Sequence, residues 1–126
     1  MIAGKVSYAT LPAADMDRAK DWYANKLGIT PASESDVGAV YDLGGGAGFL
    51  LYPSPKAGQA PNTMILVVSD DVSGDVAALK AKGVAFEEYD MDELRTVDSI
   101  ATIGSKSGAW FKDSEGNIWS IGSDPH

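Results

Sequence analysis

The chain repeats its own plan. A short β-rich run, an acidic turn, an amphipathic helix and a stopping glycine occur twice, with Gly28 and Gly83 set 55 positions apart. In the first copy Val6 to Leu11 leads to Asp15, then to a helix through Arg18, Trp22 and Tyr23 that closes at Leu27-Gly28. In the second, Met64 to Val68 leads to Asp70 and a helix through Val76 and Leu79, closing at Lys82-Gly83. Such a duplication narrows the folds available, because a lone strand–helix unit leaves one apolar sheet face bare and needs a partner layer. At 126 residues the chain has the length of one domain. The expectation is a single domain over 1–126, made of one repeat at about 1–55 and a second at about 62–126.

Local signals fill in the units. Asp15 is a suitable N-cap with Asp17 in the first turn, and Met16, Ala19, Trp22, Tyr23 and Leu27 recur at three- and four-residue steps. Gly28 and Pro31 stop that helix. Further strands are expected at Ile29–Ser33, Ala39–Leu43 and Phe49–Tyr52. The last two are joined by a glycine run, 44–48, that reads as a hairpin turn because no Lys-Ser/Thr follows to make a phosphate loop. Pro53 to Asn62, with three prolines, is a linker. The second half predicts a strand at Thr63–Val68, a helix at Val72–Lys82, a strand at Val84–Tyr89 and a hairpin of Gly108–Lys112 with Asn117–Ile121. The polar stretch 90–107 shows no clear period, although Thr102-Ile103 fits a strand. Each half is thus a βαβββ unit, and the expected class is α+β, a curved mixed sheet with helices on its convex face and a concave groove.

Composition removes several functions. There is no cysteine and the only histidine is His126, so disulfides, thiolate metal sites and a cysteine nucleophile are excluded. Ten basic and 18 acidic residues give a net charge of -8, which disfavours nucleic acid as a partner. The N-terminus lacks a signal peptide's apolar run and nothing approaches membrane-spanning length, so a cytoplasmic protein without membrane contact is expected.

Two segments resemble the vicinal oxygen chelate superfamily, which includes glyoxalases, extradiol dioxygenases and fosfomycin- and bleomycin-resistance proteins. Asp15-Met16-Asp17-Arg18-Ala19-Lys20-Asp21-Trp22-Tyr23, closing with Leu27-Gly28, is similar to the family's opening motif. Trp110-Phe111-Lys112-Asp113-Ser114-Glu115-Gly116-Asn117 is similar to its closing motif. The resemblance implies the fold, and for the enzymes a divalent metal held by His, Glu or Gln on the concave sheet. Here the implied positions fall on Tyr8, Leu51, Thr63 and Ser120. Neutral hydroxyls and a leucine suit no divalent ion, so no metal and no other cofactor is expected.

Strand alternation extends these four positions. Ile65 and Val67 go with Thr63, Thr10 with Tyr8, Phe49 with Leu51 and Ile118 with Ser120. Trp110 or Phe111 lines the groove according to a register left open here. The candidate ligand contacts are Tyr8, Phe49, Leu51, Thr63, Ile65, Trp110 and Ser120. An apolar, aromatic pocket with a few hydroxyls suits a small organic ligand. The same residues also suit a packed structural core, and Trp22, Tyr23 and Trp119 read as core or interface positions. The leading function is metal-free binding of an aromatic or cationic drug or metabolite, as bleomycin-resistance relatives sequester theirs. The alternatives are a glyoxalase-like lyase or other enzyme working without the metal triad, through Tyr8 or Asp42, and a non-catalytic interaction domain. The resemblance also implies a homodimer, in which strands of one subunit complete the groove of the other.

Overall fold

The computed structural model describes residues 1–126. The first unit runs β1 (Ala9–Ala13), α1 (Met16–Trp22) with a π-helical turn (Tyr23–Leu27), β2 (Ser33–Glu34), β3 (Ala39–Gly44) and β4 (Ala47–Pro53). The second runs β5 (Thr63–Val68), α2 (Val72–Ala81), β6 (Thr96–Val97), β7 (Ile100–Ile103), β8 (Lys106–Lys112) and β9 (Ile118–Gly122). The α+β class and the two βαβββ units agree with the sequence. The strands form two sheets, ordered β1-β4-β3-β2 and β5-β9-β8-β7-β6. In each, the first strand runs parallel to the last and the others are antiparallel. β1 and β5 are both edges, so a single chain does not join its halves into one continuous curved sheet. Neither helix is long and apolar enough to cross a membrane.

The sheets share a core. Leu11, Ala13, Ala39, Tyr41, Phe49 and Leu51 of the first sheet pack in one cluster with Phe111, Trp119 and Ile121 of the second. The ring of Tyr23, carried by the helix, touches Tyr41, Phe49 and Trp119, and Phe49 meets Trp119 edge-on at 5.5 Å between centroids. Burying side chains of this size contributes about 2–3 kcal/mol each. The helix begins where expected, since the Asp15 carboxylate accepts from the Arg18 amide at 3.0 Å.

The structure adds local departures from regular spacing. The second helix starts at Val72 as expected and is capped by Asp71, whose carboxylate accepts from the Gly74 amide at 3.1 Å. The caps are therefore one position further apart than Gly28 and Gly83, and the π-turn absorbs the extra residue: the Gly28 amide donates to the Tyr23 carbonyl, five residues back. β5 carries a bulge, because Thr63 pairs with Ile118 while Ile65 pairs with Trp119, two steps against one. The expected strand at Val84–Tyr89 is only a bridge from Phe86 to Phe111 and a bond from the Glu87 amide to the Trp110 carbonyl. β7 occupies the rest of that edge of β8.

The polar stretch after it is held by a carboxylate. Glu88 accepts from the Ser99 amide at 3.0 Å, the Ser99 hydroxyl at 2.9 Å and the Thr96 hydroxyl at 2.7 Å. These bonds fix the β6–β7 turn, where Asp98 and Ser99 both take positive φ, and they hold the Glu88 carboxyl below the usual range.

Candidate ligand-binding faces

The closing motif of the sequence folds into the joint between the repeats. Asp113, nearly covered, accepts from the Tyr23 hydroxyl, the Glu115 and Asn117 amides and the Asn117 side chain. Burial first, and then the adjacent carboxylate, push the Tyr23 phenol far above its ordinary range, so it stays a donor. Asn117 also donates to the Pro12 carbonyl at 2.8 Å. Glu115 receives two bonds from the Arg18 guanidinium, at 2.8 and 2.9 Å, and one from the Asp15 amide at 2.9 Å. The Arg18 hydrogen bonds foremost hold its carboxyl down at about 2. Gly116 takes φ +88°, and a side-chain carbon there would sit 2.9 Å from the Gly58 Cα in the linker. The two segments that carry the family resemblance thus bind each other, and their role is structural.

Both inner faces contribute to the core, and the outer faces carry two further hollows. On the second sheet, pairing puts Thr63, Leu66, Trp110, Ile118 and Ser120 on one outer face. Thr63, Trp110 and Ile118 line a hollow of roughly 340 Å³ with Tyr89, Met91 and Leu94. The Tyr89 and Trp110 rings meet edge-on at 5.6 Å and are both half-buried. Burial raises the Tyr89 phenol, which keeps it protonated and able to donate at neutral pH. Ser120 lies beside Trp110 in register and is almost covered. The register also resolves the choice left by the sequence: Trp110 faces out and Phe111 faces the core.

On the first sheet, Tyr8 precedes β1, is 53% exposed, and lines a separate hollow of roughly 310 Å³ with Ser33, Val40, Asp42 and Ala47. The Asp42 carboxylate accepts from the Gly44 amide at 2.8 Å, so it serves the hairpin turn.

Three candidates do not reach either face. Phe49 and Leu51 are fully buried in the shared core, and their neighbours Leu50 and Tyr52 take the outer face instead. The motif count placed the strand one residue out of phase, and a shift of one reverses every side chain. Ile65 packs against the core because the bulge separates it from Thr63. Val67 likewise shares the side of Ile121. Tyr89, Met91 and Leu94 were missed, since their segment has no period. The aromatic residue ending Val84–Tyr89 was the one available signal.

The donor chemistry of the four implied metal positions is now concrete. Leu51 is apolar and buried, Tyr8 precedes β1 of the first sheet while Thr63 and Ser120 lie on the second, and no three His, Cys, Asp or Glu side chains gather anywhere in the chain. These residues do not fit a divalent ion.

Among solved structures, the chain is similar to UcmS2, with a TM-score of 0.75 and 17% identity over 96% of this chain and 98% of that one. It is similar to the oxidase ChaP-H2, with a TM-score of 0.70 and 19% identity over 98% and 96% of the two chains. The fosfomycin resistance protein FosX from Listeria monocytogenes, solved with Mn(II) and a dihydroxypropylphosphonic acid, gives 0.64 and 17% over 96% and 90%. At these identities the likeness is one of fold. No curated protein matches the chain. Residues 5–121 match the family model of the Glyoxalase/Bleomycin resistance protein/Dioxygenase superfamily, and the chain belongs to that superfamily.

Proposed function

We propose that the protein binds a small aromatic molecule without a resident metal, on the outer face of its second sheet, and that it does so as a homodimer. One observation carries this reading: Tyr89 and Trp110 stand half-buried as a ring pair over a hollow floored by Ile118 and edged by Thr63. Aromatic walls with one phenol and one hydroxyl are suited to holding a flat ring and orienting one polar group on it. The net charge of -8 favours a cationic ligand by steering. The dimer is supported by two open sheet edges, β1 and β5, the latter with Leu66, Val67 and Val68 exposed. Exposed apolar edges of this kind are ordinarily covered by another strand. A second copy laid on them would set a first-sheet outer face, with Tyr8, Thr10 and Leu50, opposite Trp110.

Tryptophan fluorescence titration with a panel of aromatic cations and their neutral analogues tests the reading. A saturable change is expected that disappears in Trp110→Ala and survives in Trp22→Phe. No response from the folded protein across the panel would overturn it.

A further inference from the structure

A third cavity lies away from both outer faces, at the seam between the repeats. Leu27 and Ile29 wall it from the end of the π-turn, Leu43 from the β3–β4 hairpin, Val67 from β5 and Leu79 from α2. Its floor is the inner face of the second sheet, where Phe111 and Trp119 lie nearly parallel with centroids 5.8 Å apart. The volume is roughly 200 Å³ and every lining residue is apolar.

We infer that this seam is a second ligand site, for a neutral apolar molecule of about one substituted ring. Size and chemistry together select that occupant. An apolar cavity of about 150 Å³ takes up benzene, and this one is comparable in volume and opens to solvent at Leu43 and Val67, each more than a third exposed. A water molecule needs two to four polar partners, and no polar side chain lines this cavity. A charged ligand would lose its hydration against walls that carry no charged side chain.

Two features of the walls agree with binding. The π-turn is a local irregularity whose residue Leu27 lines the cavity, and such turns inside α-helices are frequent at functional sites. Leu43 stands at the mouth on a hairpin whose tip, Gly44 to Gly46, has positive φ throughout and open space around it. Leu43 is itself 36% exposed, so the cavity opens to solvent beside this hairpin. Because the walls come from both repeats, an occupant ties the halves together and stabilises the folded chain.

The site is independent of the one proposed around Trp110, and methyl and indole NMR of the intact protein separates them. Toluene, titrated to its solubility limit, is expected to shift saturably the resonances of Leu27, Ile29, Leu43, Val67, Leu79 and Trp119, and to raise Tm by about 4 °C. Benzoate, of similar shape but charged, is expected to shift none of them. Leu79→Phe fills the cavity and removes the toluene shifts while leaving the Trp110 fluorescence titration unchanged. Ile29→Phe provides the same test should Leu79→Phe fail to fold. The inference is overturned by toluene shifts confined to Met91, Leu94 and Trp110, by the absence of saturable shifts in the folded wild type, or by either folded variant binding toluene as the wild type does.

Discussion

At the scale of single residues, Glu115 has the most consequential environment. Its side chain is fully enclosed while its partner Arg18 remains half-exposed, so the two ends of the pair are not equivalent. Removing Arg18 strands a buried carboxylate, whereas removing the Glu115 charge leaves a guanidinium that water can solvate. The pair also sets a pH dependence. With its pKa lowered from the ordinary 4.5 to about 2, Glu115 is ionised more readily folded than unfolded. Its stabilising effect is fully present above pH 4.5 and is lost as pH falls from there through 2. Urea midpoints measured at pH 7, 4 and 3 should therefore decline more steeply for the wild type than for Glu115→Gln. Parallel declines would show that the carboxylate is not the titrating group. The sequence marks Arg18 and Glu115 as motif residues, but their pairing, across 97 positions, appears only in the fold.

At the scale of elements, three short irregularities decide where side chains point. The turn at 113–117 contains ordinary turn formers, and its resemblance to the family's closing motif does not by itself show what the turn holds together. Its carboxylate at Asp113 nevertheless gathers donors from the first helix and from β9. Asp113→Ala leaves the Tyr23 hydroxyl and the Asn117 amide buried without an acceptor, and should cost about 3 kcal/mol or more in urea denaturation. A cost below about 1 kcal/mol would mean that water replaces the carboxylate. The π-turn and the β5 bulge each add one residue to a regular repeat. Sequence periodicity assumes constant spacing, so a single extra residue is invisible to it and still reverses the faces of Thr63 and Ile65. The helices themselves were legible, because Asp15, the apolar stripe and Gly28 are local signals that the tertiary structure had no reason to override.

At the scale of the molecule, one chain brings the two repeats together through their inner faces. The seven residues expected to form one groove are consequently dispersed. Tyr8 lies beside the first sheet, just before β1, Thr63, Trp110 and Ser120 lie on the second, and Phe49, Leu51 and Ile65 belong to the core. The proposed homodimer would restore a two-sided groove from different copies. Sedimentation at micromolar concentration should give a dimer, and Val68→Asp, which places a charge on the exposed end of β5, should shift it to monomer without loss of helix signal by circular dichroism. A wild-type monomer under those conditions would remove the dimer.

The sequence by itself determined what depends on neighbours along the chain: two βαβββ units, the places where the helices start and stop, the closing hairpin, and neither imidazole nor carboxylate at Tyr8, Leu51, Thr63 and Ser120. These follow from propensity, capping and composition, which act over a few residues. Only the tertiary structure decided which face of each strand is buried, because that depends on register, and register is set by contacts tens of residues apart. The same contacts turned the closing motif into the joint between the repeats. They also opened an apolar cavity at the seam, whose walls come from α1's π-turn, the β3–β4 hairpin, β5, α2, β8 and β9.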